Sequence, residues 1–234
     1  MPAKSCSLYE IAGEHSLEGF RSTLEGATSS QTVDILGEPY DLRTTVTDLT
    51  WGPEMESLWG SISFETLQRI PQFDGTSTLV PATRRAMFAF FEAEASLYLA
   101  VFCNRGTAET SAMKLDSLLT HSEDEHAPIV YNHRIPTQAI EQFLNNHSHT
   151  KKLGGWRDLD YVGVSNSTLH GADIDRYRGT QEYDLHGSKK YVMVELHDSG
   201  HVVRISEEGI VTFYRDIRQP EILDFVRTEI LPLI

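Results

Sequence analysis

The segment 191–214, YVMVELHDSGHVVRISEEGIVTFY, decides the fold. Its apolar, β-branched-rich runs Tyr191 to Leu196, His201 to Ser206 and Ile210 to Tyr214 are punctuated by Asp198-Ser199-Gly200 and Glu207-Glu208-Gly209, the pattern of two tight hairpins. Side chains on a strand alternate between faces, so Val192, Val194, Leu196, Val203, Ile205, Val211 and Phe213 fall on one face and form a core. Immediately afterwards, Gln219 to Ile234 sets Ile222, Phe225, Val226 and Ile230 on one helical stripe. Pro220 suits its first turn, and Glu221 is favourable to the helix dipole there. The reading is a three-stranded meander with a helix docked on it.

An earlier stretch ends in the same way: Ala86 to Ala93, Leu97 to Cys103, the turn Asn104-Arg105-Gly106, and a helix from Thr107 with Ala108, Ala112, Leu115 and Leu119 in line. Upstream, Thr32 to Leu36, Tyr40 to Trp51 and Leu58 to Leu67 have strand composition. Leu8, Ile11, Ala12, Leu17, Phe20 and Leu24 predict a helix broken at Gly13 and Gly19, and Ile70 to Arg85, rich in Pro, Gly and Thr, reads as a loop. Thr120 to Pro128 is the linker candidate. Beyond it, Pro136 opens a helix with Ala139, Ile140, Phe143 and Leu144 on one side, Asp158 to Val164 reads as a strand, and Leu169 to Lys190 is a long polar excursion. The expected fold is therefore α+β: two similar antiparallel sheet units, residues 1–120 and 129–234, each backed by helices and consistent with an internal duplication. As architecture this looks like the saddle of TATA-box-binding proteins or the two-part protomer of sliding clamps. No residue motif of either family is present, and shared architecture does not carry function.

A chain of 234 residues with 40% hydrophobic content is long and apolar enough to bury a core. Its net charge of -14 repels phosphate backbones and ranks nucleic acid below protein as a partner, although high salt in the cell would weaken that repulsion. Cys6, near the terminus, and Cys103, after an apolar strand, imply no disulfide framework, and Cys103 reads as a small buried hydrophobe. The first residues lack the apolar core of a signal peptide and no apolar run is long enough to span a bilayer, so the expectation is a cytoplasmic protein without membrane contact.

Motifs of chemistry are sparse. No glycine-rich phosphate loop joins a strand to a helix, and no G-x-S-x-G elbow is present. No catalytic residue and no cofactor is assigned. Three histidine and carboxylate clusters have ligand chemistry but no specific ligand spacing: His121 and His126 around Glu123, Asp124 and Glu125; His147 with His149; His197, Asp198 and His201. Asp173 and Asp175 lack the spacing of a calcium loop. Arg84-Arg85, Lys151-Lys152 and Lys189-Lys190 are short basic pairs. More informative is the sheet face opposite the core, which shows Tyr191, Met193, Val202, Arg204, Thr212 and Tyr214, a mixture typical of recognition surfaces. Both faces of the hairpin formed by 86–93 and 97–103 are apolar, which calls for a second covering layer or a partner. The expected function is a noncatalytic binding or regulatory module whose partner is another protein or its own copy, with Tyr191, Met193, Arg204, Thr212 and Tyr214 as the binding surface. The alternatives are a metal-dependent hydrolase built on a histidine and carboxylate cluster, and nucleic-acid binding through the open sheet face with Tyr191, Arg204 and Tyr214 as stacking groups.

Overall fold

A computed structural model describes residues 3–53, 56–120, 129–161 and 163–234. Its strands and helices group into two compact units, one of residues 10–131 and the other of the N-terminal residues through Tyr9 together with Asn132–Ile234.

In the unit of residues 10–131, helix α1 (Leu17–Leu24) starts where the Ser16 hydroxyl accepts the Gly19 N–H at 3.1 Å, and it buries Leu17, Phe20 and Leu24. Four long strands follow: β2 (Thr28–Ile35), β3 (Glu38–Trp51), β4 (Ser57–Pro71) and β5 (Ser77–Ala93), then β6 (Ser96–Phe102). Asn104 opens α2 (Arg105–Thr120) by accepting the Thr107 N–H at 3.1 Å, and the helix buries Ala108, Ser111, Ala112, Leu115 and Leu118. Register places Leu58 opposite Phe90, Gly60 opposite Phe88, and Phe90 opposite Leu99, which makes one continuous apolar face. The ring of Phe20 in α1 packs 4.8 Å from that of Phe90. The other face of the same strands is buried as well. There Trp59 stacks on Phe102 at 5.3 Å and Phe91 on Tyr98 at 5.7 Å.

In the other unit, β1 (Lys4–Ile11) pairs antiparallel with β12 (Ile210–Phe213) from Lys4 opposite Phe213 to Ser7 opposite Ile210. After the short β7 (Val130–Asn132), α3 (Thr137–Asn146) buries Ala139, Ile140, Phe143 and Leu144. Then come β8 (His149–Tyr161), β9 (Val164–His170), a 3-10 turn at Ile174–Arg176, α4 (Arg178–His186), β10 (Ser188–Leu196) and β11 (Val202–Ser206). The C-terminal α5 (Gln219–Phe225) begins on a reciprocal cap between Arg218 and Glu221. All seven residues assigned to the core face of the meander are buried, and Phe213 meets Phe225 of α5 edge to face at 5.2 Å. The turn glycine Gly209 has φ +72°, and a Cβ there would sit 2.0 Å from the His133 carbonyl oxygen. That turn is fixed both by backbone conformation and by close approach.

Four expectations are corrected. The strands form one antiparallel sheet in the order β2-β3-β4-β5-β6-β1-β12-β11-β10-β8-β9, with β7 pairing β1, instead of two similar sheet units with an internal duplication. The cause is β1: residues 4–11, part of the supposed broken helix, are extended and occupy an interior place in the ladder. Ile70 to Arg85 is no loop but the far end of a hairpin in which β4 and β5 stay paired from Ser57 opposite Phe91 to Pro71 opposite Ser77. Pro81 is tolerated because β6 pairs β5 only from Met87 onward, so the edge where Pro81 lacks an N–H carries no ladder. The excursion 169–190 is ordered into the end of β9, the 3-10 turn, α4 and the start of β10. Of the linker candidate Thr120 to Pro128, Thr120 is the last residue of α2, and residues 121–128 lie outside the described residues.

The β5–β6 turn gives a direct test of these backbone assignments. Glu94 and Ala95 hold φ of +49° and +63°, a left-handed pair that L residues resist. Ala95→Gly is expected to stabilise the protein by about 1 kcal/mol in urea unfolding; a loss of stability would show the turn to be built otherwise.

Candidate functional site

The open face of the β10–β11–β12 meander is assembled by register. Met193 lies opposite Arg204, Arg204 opposite Thr212, and Thr212 opposite Ser5, a single row across four strands. Tyr191 lies one step along β10 on the same face, opposite Ser206, with Gly155 of β8 on its other side. A Cβ on Gly155 would meet the Tyr191 ring at 2.4 Å, so the ring lies flat on the glycine. The Arg204 guanidinium stands over the ring, 4.2 Å from its centroid, and the Tyr191 hydroxyl is bonded to the Thr168 hydroxyl at 3.0 Å. Thr212 and Ser5 share a hydroxyl hydrogen bond of 2.9 Å. Tyr214 is 42% exposed, Tyr191, Met193, Val202 and Arg204 are half-buried, and Thr212 is buried. All five residues singled out from the sequence are therefore on this face, four of them accessible.

The cations near this face differ in one respect. Lys152 pairs with Glu195 at 3.2 Å, Arg215 approaches the same carboxylate at 3.9 Å, and Arg157 pairs with Glu207 at 2.8 Å. Among the described residues, Arg204 meets no carboxylate, and its buried Nε–H has no acceptor. The ring beneath it supplies cation–π attraction, but a ring face offers no in-plane acceptor.

On the helix-covered side of the same unit is a cleft of about 390 Å³, lined by Glu141, Leu144, Asn145, His149, Lys151, Asp175, Asp184 and Lys189. Lys151 and Lys189 are only 6% and 7% exposed, and each ammonium is held by carboxylates from the polar excursion or from α3. Lys151 donates to Asp175 at 2.5 Å; Lys189 pairs with Asp184 at 2.8 Å and Glu141 at 3.1 Å. Asp184 also accepts the Trp156 indole N–H at 2.7 Å. These are ion pairs that fasten the 3-10 turn, α4 and α3 to strands β8 and β10.

The structure separates the histidine clusters. His197 is bonded through Nδ1 to the Ser148 hydroxyl and through Nε2 to the Thr150 hydroxyl, both at 2.8 Å, while His201 stands edge-on to Phe213 at 5.7 Å. His147 approaches Glu229 at 3.2 Å, and His149 approaches Asp175 at 3.7 Å. His121, Glu123, Asp124, Glu125 and His126 are outside the described residues. Among the described residues no group of three or more His, Cys, Asp or Glu side chains is placed to hold a metal ion. Arg85 pairs with Asp48 at 2.9 Å. Cys6 lies fully buried in β1, and burial raises the Cys103 thiol to about 11. Among the described residues no helix is long and apolar enough to cross a membrane.

The chain matches no protein-family model and no curated protein.

Sequence reasoning missed the lysine clamps, although a signal was there: adjacent lysines on a strand cannot both face water if one face is covered. Lys151 lies opposite buried Val194, whereas Lys152 reaches Glu195 on the other side. The clamps make an asymmetric prediction. Asp175→Ala strands the Lys151 ammonium and is expected to cost about 3 kcal/mol, whereas Lys151→Met leaves a carboxylate that is 42% exposed and hydrated, and is expected to cost about 1 kcal/mol or less. Equal losses in denaturant unfolding would refute the clamp. The second check is chemical: at pH 8 Cys103 is expected to hold only about one thiolate in a thousand and to react with iodoacetamide far more slowly than an unfolded control.

Proposed function

We propose that the protein is a noncatalytic binding module that contacts another protein chain through the open face of β10–β12. The observation that supports this most is the stack of Gly155, Tyr191 and Arg204: an aromatic ring and a guanidinium are immobilised beside half-buried Met193 and exposed Tyr214. Aromatic and Arg side chains dominate binding hot spots, and immobilising them in advance lowers the ordering cost of association. Both sides of the Tyr191 ring are already covered, by Gly155 and by Arg204, so it has no free surface on which a nucleic-acid base could stack.

The test is photo-crosslinking in cells with benzoylphenylalanine at position 214, and at exposed Met113 of α2 as the control. A discrete protein adduct is expected from 214 and not from 113. Met193→Ala is expected to abolish that adduct while changing stability by no more than about 1 kcal/mol. If no adduct forms at 214 the reading fails; if Met193→Ala combined with Tyr214→Ala costs about 3 to 5 kcal/mol without altering association, the face is core and the reading fails as well.

A further inference from the structure

We infer that Arg204 is the receptor for a carboxylate side chain carried by an acidic, partly apolar segment of the partner protein; this rests on the binding-face reading above. Three observations converge. Arg204 is held in place by Tyr191, and among the described residues neither its terminal Nη groups nor its buried Nε–H meets an acceptor, so the outer edge of the guanidinium is oriented and unspent. Lys152 and Arg157 are paired with Glu195 and Glu207, and Arg215 approaches Glu195, so Arg204 is the guanidinium of this face that meets no carboxylate among the described residues. Met193 and Thr212 flank that guanidinium across the ladder, Val202 and Tyr214 lie one step along on the same face, and the carboxylate opposite Val202, Glu195, is paired with Lys152.

These features select a carboxylate on a protein over a nucleic acid. A partly desolvated guanidinium forms a strong, directional fork with a single carboxylate. A polyanion would have to bring many phosphates up to a chain of net charge -14, and that field repels it over long range. A short protein segment brings one or two charges and can also place an apolar side chain on Met193 and Tyr214, which a phosphate backbone cannot. The Thr212–Ser5 hydroxyl pair, bonded at 2.9 Å, lies next to Arg204 in the row and can turn one proton toward the second carboxylate oxygen.

The experiment follows the Arg204 Nε–H resonance by NMR in the intact chain. The probes are the peptide acetyl-Leu-Glu-Leu-Glu-Leu-amide, its glutamine counterpart, inorganic phosphate and a twelve-residue oligothymidylate. The glutamate peptide is expected to shift the resonance saturably. The glutamine peptide should bind roughly ten- to a hundredfold more weakly, the worth of one charged hydrogen bond. Arg204→Lys should weaken the glutamate peptide because the fork is lost while the charge remains, with thermal melting unchanged. No shift with the glutamate peptide, equal binding of the glutamine peptide, or an equal shift from phosphate or oligothymidylate overturns the inference. The crosslinking assay separates the two failures: a 214 adduct that survives Arg204→Met leaves the binding face standing without the carboxylate receptor, whereas no adduct from the unsubstituted chain removes the face itself.

Discussion

A strand has two faces, and a layer of helices can cover only one of them. That constraint shapes both units of this protein, and they meet it differently. In the unit of β8–β12, Val192, Val194, Val203, Ile205, Val211 and Phe213 lie under the helical layer, where Phe225 of α5 meets Phe213 and Phe143 of α3. The reverse face then has to coexist with water, and it does so by pairing and stacking polar groups: Arg157 on Glu207, Lys152 on Glu195, Arg204 on Tyr191. In the unit of β2–β6 the second face is instead apolar and buried, with Trp59, Ala89, Phe91, Tyr98 and Ala100 side by side. The polar solution leaves a surface with chemistry, and the apolar one leaves none. This is why the candidate site belongs to the first unit.

The helix-covered side carries its own obligation. Burying Lys151 and Lys189 removes two ammoniums from water, a cost of several kcal/mol per ion unless each is paired and hydrogen-bonded. Their carboxylates come from Asp175, Asp184 and Glu141, on the 3-10 turn, α4 and α3. The ion pairs thereby turn a polar, weakly helical stretch into fixed structure. Of its nine residues α4 fully buries only Thr180 and packs Tyr183 against Trp156, a small apolar anchor for a helix of this length. Charge pairing, with the Trp156 indole bonded to Asp184, does what a hydrophobic stripe does elsewhere.

Much of the local pattern was legible. Period-two alternation in 191–214 placed all seven core residues correctly, because a half-buried antiparallel strand leaves no freedom of face once one residue is assigned. The helical stripe of Ile222, Phe225, Val226 and Ile230 was equally plain, with Phe225 half-buried and the other three buried, although the α-helix ends at Phe225 and continues as a π-helical turn over Val226–Ile230. What failed was non-local. Leu8 and Ile11 suit a helix as well as a strand, and only pairing with 210–213 makes 4–11 extended. Pro71 and Pro81 look like loop residues until the register shows that neither has to donate to a neighbouring strand. The pairing of Lys151 with Asp175, 24 positions apart, has no local signature. Only the doubled lysines hinted that one of each pair turns inward.

The same reasoning bears on how an acidic chain can retain an open guanidinium. In a protein with 34 acidic residues, a mobile surface arginine has many carboxylates within reach, and near the open face Lys152 and Arg157 have found theirs. Arg204 has not, because its position is set by the sheet. Register fixes its Cα between Met193 and Thr212, the Tyr191 ring fixes its guanidinium plane, and Gly155 fixes the ring by offering no side chain to lift it. Each element removes freedom that the arginine would need to reach Glu195 or Glu207. The restraint therefore has an energetic consequence as well as a geometric one: the ordering cost of this side chain is met by folding, and a ligand that engages it does not bear that cost again.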